Sequence, residues 1–450
     1  MLWTSRLTEL AREALWRVLR FEHPADGVLS QFFRENPKLG HAERGYIAEQ
    51  VYAIVRKKRS LEAALGERAN PHRLLLASFM CLQGKNLREI EPLLDRSELE
   101  WMGGVRAKFL QVATEQPPAV AADLPDWLYE RWVAARGEAE TKEMAKSLNR
   151  PAALDLRVNA MKADRDTVLA RLNKDGMVAV ATPFSPLGIR LESKPMLSKH
   201  PLFQDGSIEV QDEGSQLLGL LLAPKRGEMV ADFCAGAGGK TLLLGAMMRS
   251  TGRLYAFDVA AKRLANLKPR LVRSGLSNVH PICIEHERDS RIKRLAGKLD
   301  RVLVDAPCSG LGTLRRNPDL KWRQSPESVE RLMLQQRAIL AAAATLVKPG
   351  GRLVYGTCSL LAEENEQVVD AFLATHPDFV ALDARVELAR QGVSLPVDPD
   401  KEGDPYLQLL PHRHGTDGFF AAALERLPAK PKTVVKAEPE ADVDTAAAAD

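Results

Sequence analysis

The order of apolar and polar residues divides the chain into three regions, and the first is predicted to be helical. Apolar side chains recur every three to four positions from Leu7 to Leu19, which places them on one face of a helix. Further segments with helical spacing, separated by Gly, Pro and Asn, lie at residues 42–55, 60–65, 71–82 and 87–94. We therefore predict an all-α module over residues 1–125.

The second region, residues 126–205, is predicted to be a small α+β domain. A strand pattern at 153–159 is followed by an amphipathic helix at 164–173 and by strands at 177–181 and 188–191. This βαββ order resembles that of sheets that bind single-stranded RNA. The strands lack the aromatic residues that would make the resemblance specific, so the pattern indicates a fold rather than a function.

Residues 206–427 alternate between strands and helices, as in a doubly wound parallel sheet. After a strand and helix at 207–222, the predicted strands are 229–233, 253–257, 279–284, 301–304, 351–355 and 418–422. The predicted helices are 241–249, 260–274, 326–346 and 363–374. We expect an α/β, Rossmann-like domain. Residues 428–450 carry few large apolar side chains, and we expect them to form a disordered tail.

Composition adds limits on location and partners. The chain has 450 residues, 45% of them hydrophobic and 27% charged, enough apolar material for about three ordinary domains. The first twenty residues carry acids and arginines, and no apolar run is long enough to span a membrane, so we expect neither a secretory signal nor a membrane segment. The five cysteines form no C-x-x-C pair, which argues against a metal site and disulfides and favours the cytoplasm. A net charge of +4 permits a nucleic-acid partner, and we expect a monomer.

Two cysteines follow predicted strands of the third region. The run 302–304 is followed by Asp305 and Cys308, and the run 351–355 by Cys358. Ligands of open α/β sheets bind beyond the carboxyl ends of the strands, so both thiols are predicted at the same edge. One interpretation is covalent catalysis by a cysteine. The other is a capping Asp next to an inert, buried Cys.

Two basic stretches could assist such a thiol or bind RNA. A nucleophilic cysteine needs a nearby cation or helix terminus to lower its pKa. The stretch 315–323 contains four Arg or Lys residues and a Trp, so it could supply that charge, hold phosphate and stack a base. The run 56–59 consists of four basic residues and could contact RNA phosphates. For both stretches the alternative interpretation is a solvated surface.

A glycine-rich turn at 232–241 lies between a predicted strand and a predicted helix. Its candidate ligand-binding residues are Cys234, Ala235, Gly236, Ala237, Gly238, Gly239 and Lys240. The end of the turn fits the second half of a phosphate loop, but Cys234 occupies the position of that loop's first glycine. An adenosine-binding turn instead expects an acid at the end of the next strand, where Asp258 lies. We favour the adenosine interpretation over a phosphate-loop NTPase and a purely structural turn.

Together these motifs closely resemble those of the RsmB/Nop/Sun family of RNA cytosine-5 methyltransferases. The resemblance spans roughly residues 151–427, and its matching segments are 157–159, 211–216, 234–241, 258, 305–310, 357–359, 364–366 and 415–420. Residues 7–65 resemble, more weakly, the NusB-like RNA-binding module of the RsmB branch. The resemblance implies S-adenosyl-L-methionine as cofactor and 16S ribosomal RNA as substrate. A transfer RNA substrate and a non-catalytic role in ribosome assembly are the alternatives.

The resemblance also implies roles for individual residues. Cys358 would attack carbon 6 of the cytosine, which activates carbon 5 for methylation, and Cys308 would assist release of the methylated RNA. Asp258 would hold the ribose of the cofactor, Asp305 would lie between methyl donor and target base, and Asp289 would lie near the adenine. Where this family has a proline in the turn, the chain has Ala237. We therefore expect a less rigid turn that still binds the cofactor.

Overall fold

The computed structural model describes residues 4–396 and 403–428, and its first region is helical, as predicted. Its helices are α1 (Ser5–Val18), α2 (Ala25–Glu35), α3 (His41–Arg56), α4 (Lys58–Leu65), α5 (Pro71–Cys81), α6 (Leu87–Ile90), α7 (Arg96–Glu115) and α8 (Pro118–Ala121). Two more helices, α9 (Asp126–Arg136) and α10 (Glu138–Leu148), follow where the sequence predicts the start of the α+β domain. Helices α1 to α7 share one apolar core, in which Leu15, Phe32, Ile54 and Phe79 are completely buried. This burial of one face of each helix explains the periodicity of the sequence.

Capping side chains determine where several of these helices begin. The Asn70 side chain accepts a backbone N–H at the start of α5, whose first residue is Pro71. Asp95 and Glu98 form a reciprocal capping box at the start of α7. Helices α2 and α7 lie where the periodicity predicted none. Two adjacent glycines in the middle of α7 weaken its helical signal.

Helices α9 and α10 belong to a different core. Their buried Leu128, Trp132 and Leu148 pack with Leu311 and Leu360 of the third region. The segment 126–148 therefore joins the helical region to the third region before the small sheet begins.

The second region contains a four-stranded antiparallel sheet. Its elements are β1 (Leu154–Val158), α11 (Arg165–Lys174), β2 (Ala179–Ala181), β3 (Gly188–Leu191), α12 (Pro201–Gln204) and β4 (Ile208–Val210). The strand order is β2–β3–β1–β4. The predicted βαββ order is present, but β4 pairs with β1. The predicted domain boundary at residue 205 thus falls inside this sheet, because a three-residue strand does not reveal from sequence which sheet it joins.

The third region is an α/β domain around a larger sheet, as predicted. Its elements are α13 (Glu213–Leu222), β5 (Met229–Asp232), α14 (Gly239–Met247), β6 (Arg253–Asp258), α15 (Ala261–Ser274), β7 (Val279–Cys283), α16 (Ser290–Lys293), β8 (Leu299–Asp305), α17 (Leu320–Arg323), α18 (Pro326–Ala344), β9 (Val347–Thr357), α19 (Glu366–Thr375), β10 (Phe379–Leu382), α20 (Ala384–Ala389), β11 (Leu407–Leu409), α21 (Pro411–His414) and β12 (Phe419–Arg426). All predicted strands are present with shifted ends, and β10 and β11 lie where no strand is predicted.

The topology of this sheet brings several strand ends to one edge. The order is β10–β12–β9–β8–β5–β6–β7, with β11 beside β12. The strands from β9 to β7 are mutually parallel, whereas β10, β11 and β12 pair in antiparallel fashion. Parallel strands end at the same edge, where open α/β sheets bind ligands. The last residues of β5, β6, β8 and β9 are Asp232, Asp258, Asp305 and Thr357.

The basic run 56–59 makes contacts within the protein. Arg56 donates to a backbone carbonyl of the third region at 3.0 Å. Lys57 and Arg59 pair with acids near the start of α9, at 3.1 and 2.7 Å. These side chains join the helical region to its neighbours.

The stretch 315–323 lies at the same junction. The ammonium of Lys321 is buried and donates to the carbonyl of Arg56 at 3.0 Å and to Oδ1 of Asn149 at 2.8 Å. The Trp322 indole donates to the carbonyl of Val55 at 2.9 Å. The structure supports neither predicted alternative for these groups, because they are neither solvated nor free to bind phosphate. They hold two regions together.

Three sequence predictions concern absences or the chain terminus. In residues 4–396 and 403–428, no helix has the length and apolar character to cross a membrane. Within the same residues, no group of three or more His, Cys, Asp or Glu side chains is placed to hold a metal ion. The predicted disordered tail lies outside the described residues, apart from its first residue.

Candidate active site

The glycine-rich turn connects β5 to α14 and has a defined shape. Gly236 and Gly238 have φ angles of +57° and +84°, which L side chains rarely adopt. A Cβ on Gly238 would also lie 2.1 Å from the Leu267 side chain. The Thr241 hydroxyl donates to the buried carboxylate of Asp232 at 2.7 Å, which ties the start of α14 to the end of β5. Burial raises the pKa of Asp232 to about 7.

Asp258 at the end of β6 holds the turn from the other side. One carboxylate oxygen accepts the N–H of Gly236 at 2.8 Å, and the other accepts the N–H of Ala260 at 2.7 Å. The guanidinium of Arg263 lies 3.1 Å from the same carboxylate. Asp258 is buried apart from its contact with the adjoining cavity. It therefore shapes the turn and contributes to the wall of that cavity.

A cavity of about 690 Å³ adjoins the turn, within the range of roughly 300–1,000 Å³ that is usual for small-molecule sites. The predicted site residues that line it are Cys234, Ala235, Gly236, Ala237, Gly239, Lys240, Asp258, Asp305, Cys308 and Cys358. Gly238 is not in the lining and faces Leu267 instead. The structure thus brings together nearly all of the candidates from the turn and from the strand ends.

Asp289, like Gly238, is a predicted site residue that does not line the cavity. Its carboxylate accepts the N–H groups of Glu285 and Arg291 at 3.0 and 2.9 Å and pairs with the Arg291 guanidinium at 2.6 Å. The side-chain hydrogen bond from Arg291 lowers the pKa of Asp289 well below its usual value. Glu285 and Glu287 line the cavity instead. Glu285 lies two residues beyond the end of β7, so the strand-end rule that identified Asp258 would have identified it too.

An ion pair between a buried lysine and a partly exposed aspartate lies between the turn and the thiols. Nζ of Lys240 is 2.7 Å from Oδ2 of Asp305. Burial alone would lower the pKa of Lys240, but the charge of Asp305 and the hydrogen bond to it raise that pKa above its usual value. Lys240 therefore remains cationic, and its charge also interacts with Cys358. The cation near the thiols comes from the turn and not from the stretch 315–323.

The two thiols lie side by side. The sulfur atoms of Cys308 and Cys358 are 3.4 Å apart and both thiols are free. They approach because β8 and β9 are neighbours, with Asp305 opposite Gly356. The hydrogen bond with Cys358, together with burial, raises the pKa of Cys308 well above its usual value. Cys308 therefore keeps its proton and can donate a hydrogen bond to the sulfur of Cys358. Unlike a core cysteine, Cys308 also lines the cavity.

Comparison with known proteins gives a consistent answer. Residues 219–425 match the family described as 16S rRNA methyltransferase RsmB/F, and residues 124–197 match the ferredoxin-like domain of RsmF/B-like methyltransferases. The chain is 32% identical to the probable ribosomal RNA small subunit methyltransferase B of Synechocystis sp., over 93% of this chain and 99% of that protein. The Bacillus subtilis protein described in the same words is 30% identical, over 93% of this chain and 98% of that protein. This chain belongs to the RsmB/F methyltransferase family.

A solved structure extends the RsmB/F likeness to the whole architecture. The crystal structure of PH0851 matches with a TM-score of 0.74 and 28% identity, over 95% of this chain and 100% of that one. The helical region, the small sheet and the α/β domain therefore recur together. The predicted family and multi-domain fold class are confirmed.

The wall of the cavity suits the cofactor of the S-adenosyl-L-methionine-dependent methyltransferases, the class to which the RsmB/F fold belongs. Asp258 and Glu285 present carboxylates at the ends of β6 and β7. Carboxylates accept hydrogen bonds from ribose hydroxyls and amines, whereas they repel the phosphates that a phosphate loop would hold. The adenosine interpretation of the turn is favoured on this observation.

Ala237 is the position at which this RsmB/F chain departs from the expected turn. Its carbonyl oxygen accepts a hydrogen bond from the guanidinium of Arg270 at 2.6 Å. Arg270 also pairs with Glu209 of the small sheet at 3.0 Å. A contact from outside the turn thus restrains the backbone at the position where a proline would restrict it from within.

Proposed function

We propose that this chain is an S-adenosyl-L-methionine-dependent RNA cytosine-5 methyltransferase that acts on 16S ribosomal RNA through a covalent cysteine–cytosine adduct. The observation that carries the proposal is the pair of thiols 3.4 Å apart in the wall of the cavity that adjoins the glycine-rich turn. The choice of RNA is supported by the RsmB/F match and by relatives that are named ribosomal RNA small subunit methyltransferase B.

The chemistry explains why a thiol is needed. Carbon 5 of cytosine is a weak nucleophile until a thiolate adds to carbon 6, which shifts electron density to carbon 5. S-adenosyl-L-methionine would supply the methyl group. The proton on carbon 5 then leaves, the bond between sulfur and carbon 6 breaks, and the thiolate is regenerated. The target base must be flipped out of its stack for a thiol to reach it.

We assign the attack to Cys358 and assistance in release to Cys308. Lys240 places a positive charge near Cys358, and a nucleophilic cysteine needs such a neighbouring cation. The raised pKa of Cys308 keeps that thiol protonated. Its S–H can therefore donate a hydrogen bond to the Cys358 thiolate as the bond to carbon 6 breaks.

The pair of Lys240 and Asp305 supports cytosine as the base. A carboxylate accepts a hydrogen bond from the exocyclic amine of cytosine, whereas uracil presents a carbonyl oxygen there and is repelled. Lys240 holds the Asp305 carboxylate from 2.7 Å in the wall of the cavity that both thiols line. In this proposal Asp305 lies between the methyl donor and the base.

The cofactor would be held by the turn and by two acids. The backbone of residues 234–240 and the carboxylate of Asp258 adjoin the same cavity, so they would hold the methionine and ribose parts. Glu285 takes the place of Asp289 as the acid on the adenine side, because Glu285 lines the cavity and Asp289 caps α16.

Adduct trapping tests the mechanism. The purified protein is incubated with S-adenosyl-L-methionine and small-subunit ribosomal RNA, and the products are separated on a denaturing gel. Cys308→Ala should accumulate a covalent protein–RNA species, and the double variant Cys308→Ala/Cys358→Ala should form none. Cys283→Ala is the matched control, because Cys283 is exposed and absent from the cavity lining. An adduct in the double variant would show that Cys358 is not the nucleophile.

Bisulfite mapping of RNA from cells with and without the protein tests the substrate. One or more cytosines of 16S ribosomal RNA should lose their protection when the protein is absent. Loss confined to transfer RNA would replace the proposed substrate. If no cytosine changes and calorimetry detects no binding of S-adenosyl-L-methionine, the non-catalytic assembly role becomes the better description.

A further inference from the structure

Glu364 is completely buried between the two loops that carry the thiols. One of its carboxylate oxygens accepts the backbone N–H of Ser309 at 2.8 Å. The other accepts the Ser309 hydroxyl at 2.5 Å and also the hydroxyl of Ser359. Ser309 directly follows Cys308 and Ser359 directly follows Cys358. A single carboxylate therefore holds the residue after each thiol.

Two neighbours of Glu364 extend this contact to the residues before the thiols. The side-chain amide of Gln336 donates to the carbonyl of Pro307 at 2.9 Å and to Glu364 at 2.9 Å. On the other loop, the Thr357 hydroxyl donates to Oδ1 of Asn365 at 2.5 Å. The residues before and after each cysteine are thus held by Glu364 itself, by Gln336, which is hydrogen-bonded to Glu364, or by Asn365, which follows it in the chain.

We propose that Glu364 is a positioning residue that sets the separation and relative orientation of Cys308 and Cys358. Removing its carboxylate would leave the buried N–H of Ser309 without its acceptor. Of the two serine hydroxyls, whose oxygens are 3.2 Å apart, at most one could donate to the other, and movement of the loops would relieve the loss. Movement of either loop changes the distance between the sulfur atoms. The consequence for catalysis rests on the proposed function, whereas the effect on the thiols does not.

The charge of Glu364 adds a second effect. The hydrogen bond to Cys358 and burial are larger causes of the raised pKa of Cys308, and the negative charge of Glu364 adds to them. Glu364→Gln keeps an acceptor oxygen for the Ser309 N–H, and its amide NH₂ group can donate hydrogen bonds to the serine hydroxyls. The substitution removes the negative charge. This variant should retain the geometry and allow Cys308 to ionise at lower pH.

The first experiment measures thiol proximity without any RNA. Diamide oxidises a pair of adjacent thiols: the S–S bond forms, and both thiol hydrogens pass to the N=N bond, which becomes a hydrazine. The Cys308–Cys358 disulfide is quantified in the full chain by mass spectrometry. We expect Glu364→Ala to form it at least tenfold more slowly than wild type, and Glu364→Gln within threefold. Glu363→Gln is the matched control, since Glu363 pairs instead with Arg131 at 3.1 Å.

The second experiment measures the reaction. We expect Glu364→Ala to lower kcat at least tenfold with the KM for S-adenosyl-L-methionine within twofold. Because Cys308 must stay protonated to assist release, we expect Glu364→Gln to move the alkaline side of the kcat–pH profile to lower pH. A merely structural role would leave that profile in place. Thermal unfolding confirms that each variant is folded. If Glu364→Ala does not fold, Ser309→Ala/Ser359→Ala replaces it, with slower disulfide formation expected.

Two results distinguish this inference from the proposed function. A folded Glu364→Ala, or the folded double serine variant, that forms the disulfide at the wild-type rate would overturn the positioning role. If instead wild type methylates no cytosine but the disulfide rates differ as expected, the proposed reaction is wrong and the positioning role stands.

Discussion

Lys240 and Lys321 are both buried lysines, and the structure treats their charges in opposite ways. Lys240 lies in the cavity wall 2.7 Å from Asp305, and its pKa is raised despite burial. Lys321 lies at the junction of the helical and α/β regions, where it donates to the carbonyl of Arg56 and to Oδ1 of Asn149. Burial lowers the pKa of Lys321 to about 7.

The difference shows what makes a buried charge useful to a reaction. A lysine with a carboxylate partner keeps its charge, and a cavity next to it lets that charge act on a ligand or thiol. A lysine whose partners are neutral oxygens inside a packed junction acts mainly as a hydrogen-bond donor. Its buried charge lowers the stability of the folded protein. The basic stretches 56–59 and 315–323 do not line that cavity, so their charges act on contacts within the protein.

The largest expected effect is that of Lys240→Met on activity. The change removes the cation near Cys358 and leaves Asp305 without its partner, so we expect kcat to fall about 10²–10³-fold, as when a preorganised charge is removed. The melting temperature should change little, because Asp305 is partly exposed and water can solvate it. Methyl-transfer kinetics and thermal unfolding check both parts. A kcat within threefold of wild type would remove Lys240 from the mechanism.

The same substitution at the junction should affect stability instead. Lys321→Met leaves the carbonyl of Arg56 and Oδ1 of Asn149 without their donor. Each buried acceptor left without a hydrogen bond lowers the free energy of unfolding by about 1–3 kcal/mol. The removal of a buried amine offsets part of this loss, and we expect a net destabilisation of about 2 kcal/mol. Denaturant unfolding followed by Trp fluorescence measures it, and kcat below the transition should stay within threefold. A large loss of kcat in a folded protein would contradict the comparison.

The pH dependence of stability should reveal the suppressed charge of Lys321. Its pKa is about 7 in the folded protein against an ordinary 10.5. Between these values the unfolded chain binds a proton that the folded chain lacks, so the free energy of unfolding rises with pH. Below pH 7 both states are protonated and the full cost of the buried charge is present. From pH 7 to 9, wild type should gain about 2 kcal/mol relative to Lys321→Met.

That titration depends on charges around the group. Asp123 raises the pKa of Lys321, whereas Lys57 and Arg56 lower it. Lys321→Met carries the same neighbours, so the difference between the two proteins isolates this lysine. A difference that does not change between pH 7 and 9 would show that Lys321 is not neutralised in the folded protein.

The smallest effect is expected for Arg59→Gln. Arg59 lies 2.7 Å from Asp126, whose side chain is 66% exposed, and such pairs contribute at most about 1 kcal/mol. RNA affinity should change less than twofold, and the slope of affinity against salt concentration should stay the same. Binding measured at several salt concentrations tests this. A slope reduced by about one unit would identify Arg59 as a phosphate contact.

Much of the fold could be predicted because apolar runs report burial directly. The predicted strands β5, β6 and β8 are mostly buried in the parallel part of the sheet, which gives them nearly continuous apolar runs. β11 was not predictable, since its three residues form a strand only by pairing with β12. Helix α7 was missed because its stability comes from its capping box and packing rather than from a strong periodic pattern.

Prediction of the site was uneven for a similar reason. The turn and both cysteines were found because each follows a recognisable strand. The family resemblance pointed to Asp289 as the acid near the adenine, but Asp289 caps α16, and Glu285 lines the cavity. Glu364 was seen only as part of a motif, because its role depends on two loops that are about fifty residues apart in the chain.

The sequence by itself determined which chemical groups are present at the strand ends: two thiols, a glycine-rich turn and a series of acids. The tertiary structure decided which of them meet and which charges are available. Lys321 and Arg56 are 265 positions apart yet share a hydrogen bond, so no local pattern shows that this basic stretch is buried. The partner and solvation of a charge, which set its pKa and its use, are properties of contacts between distant residues.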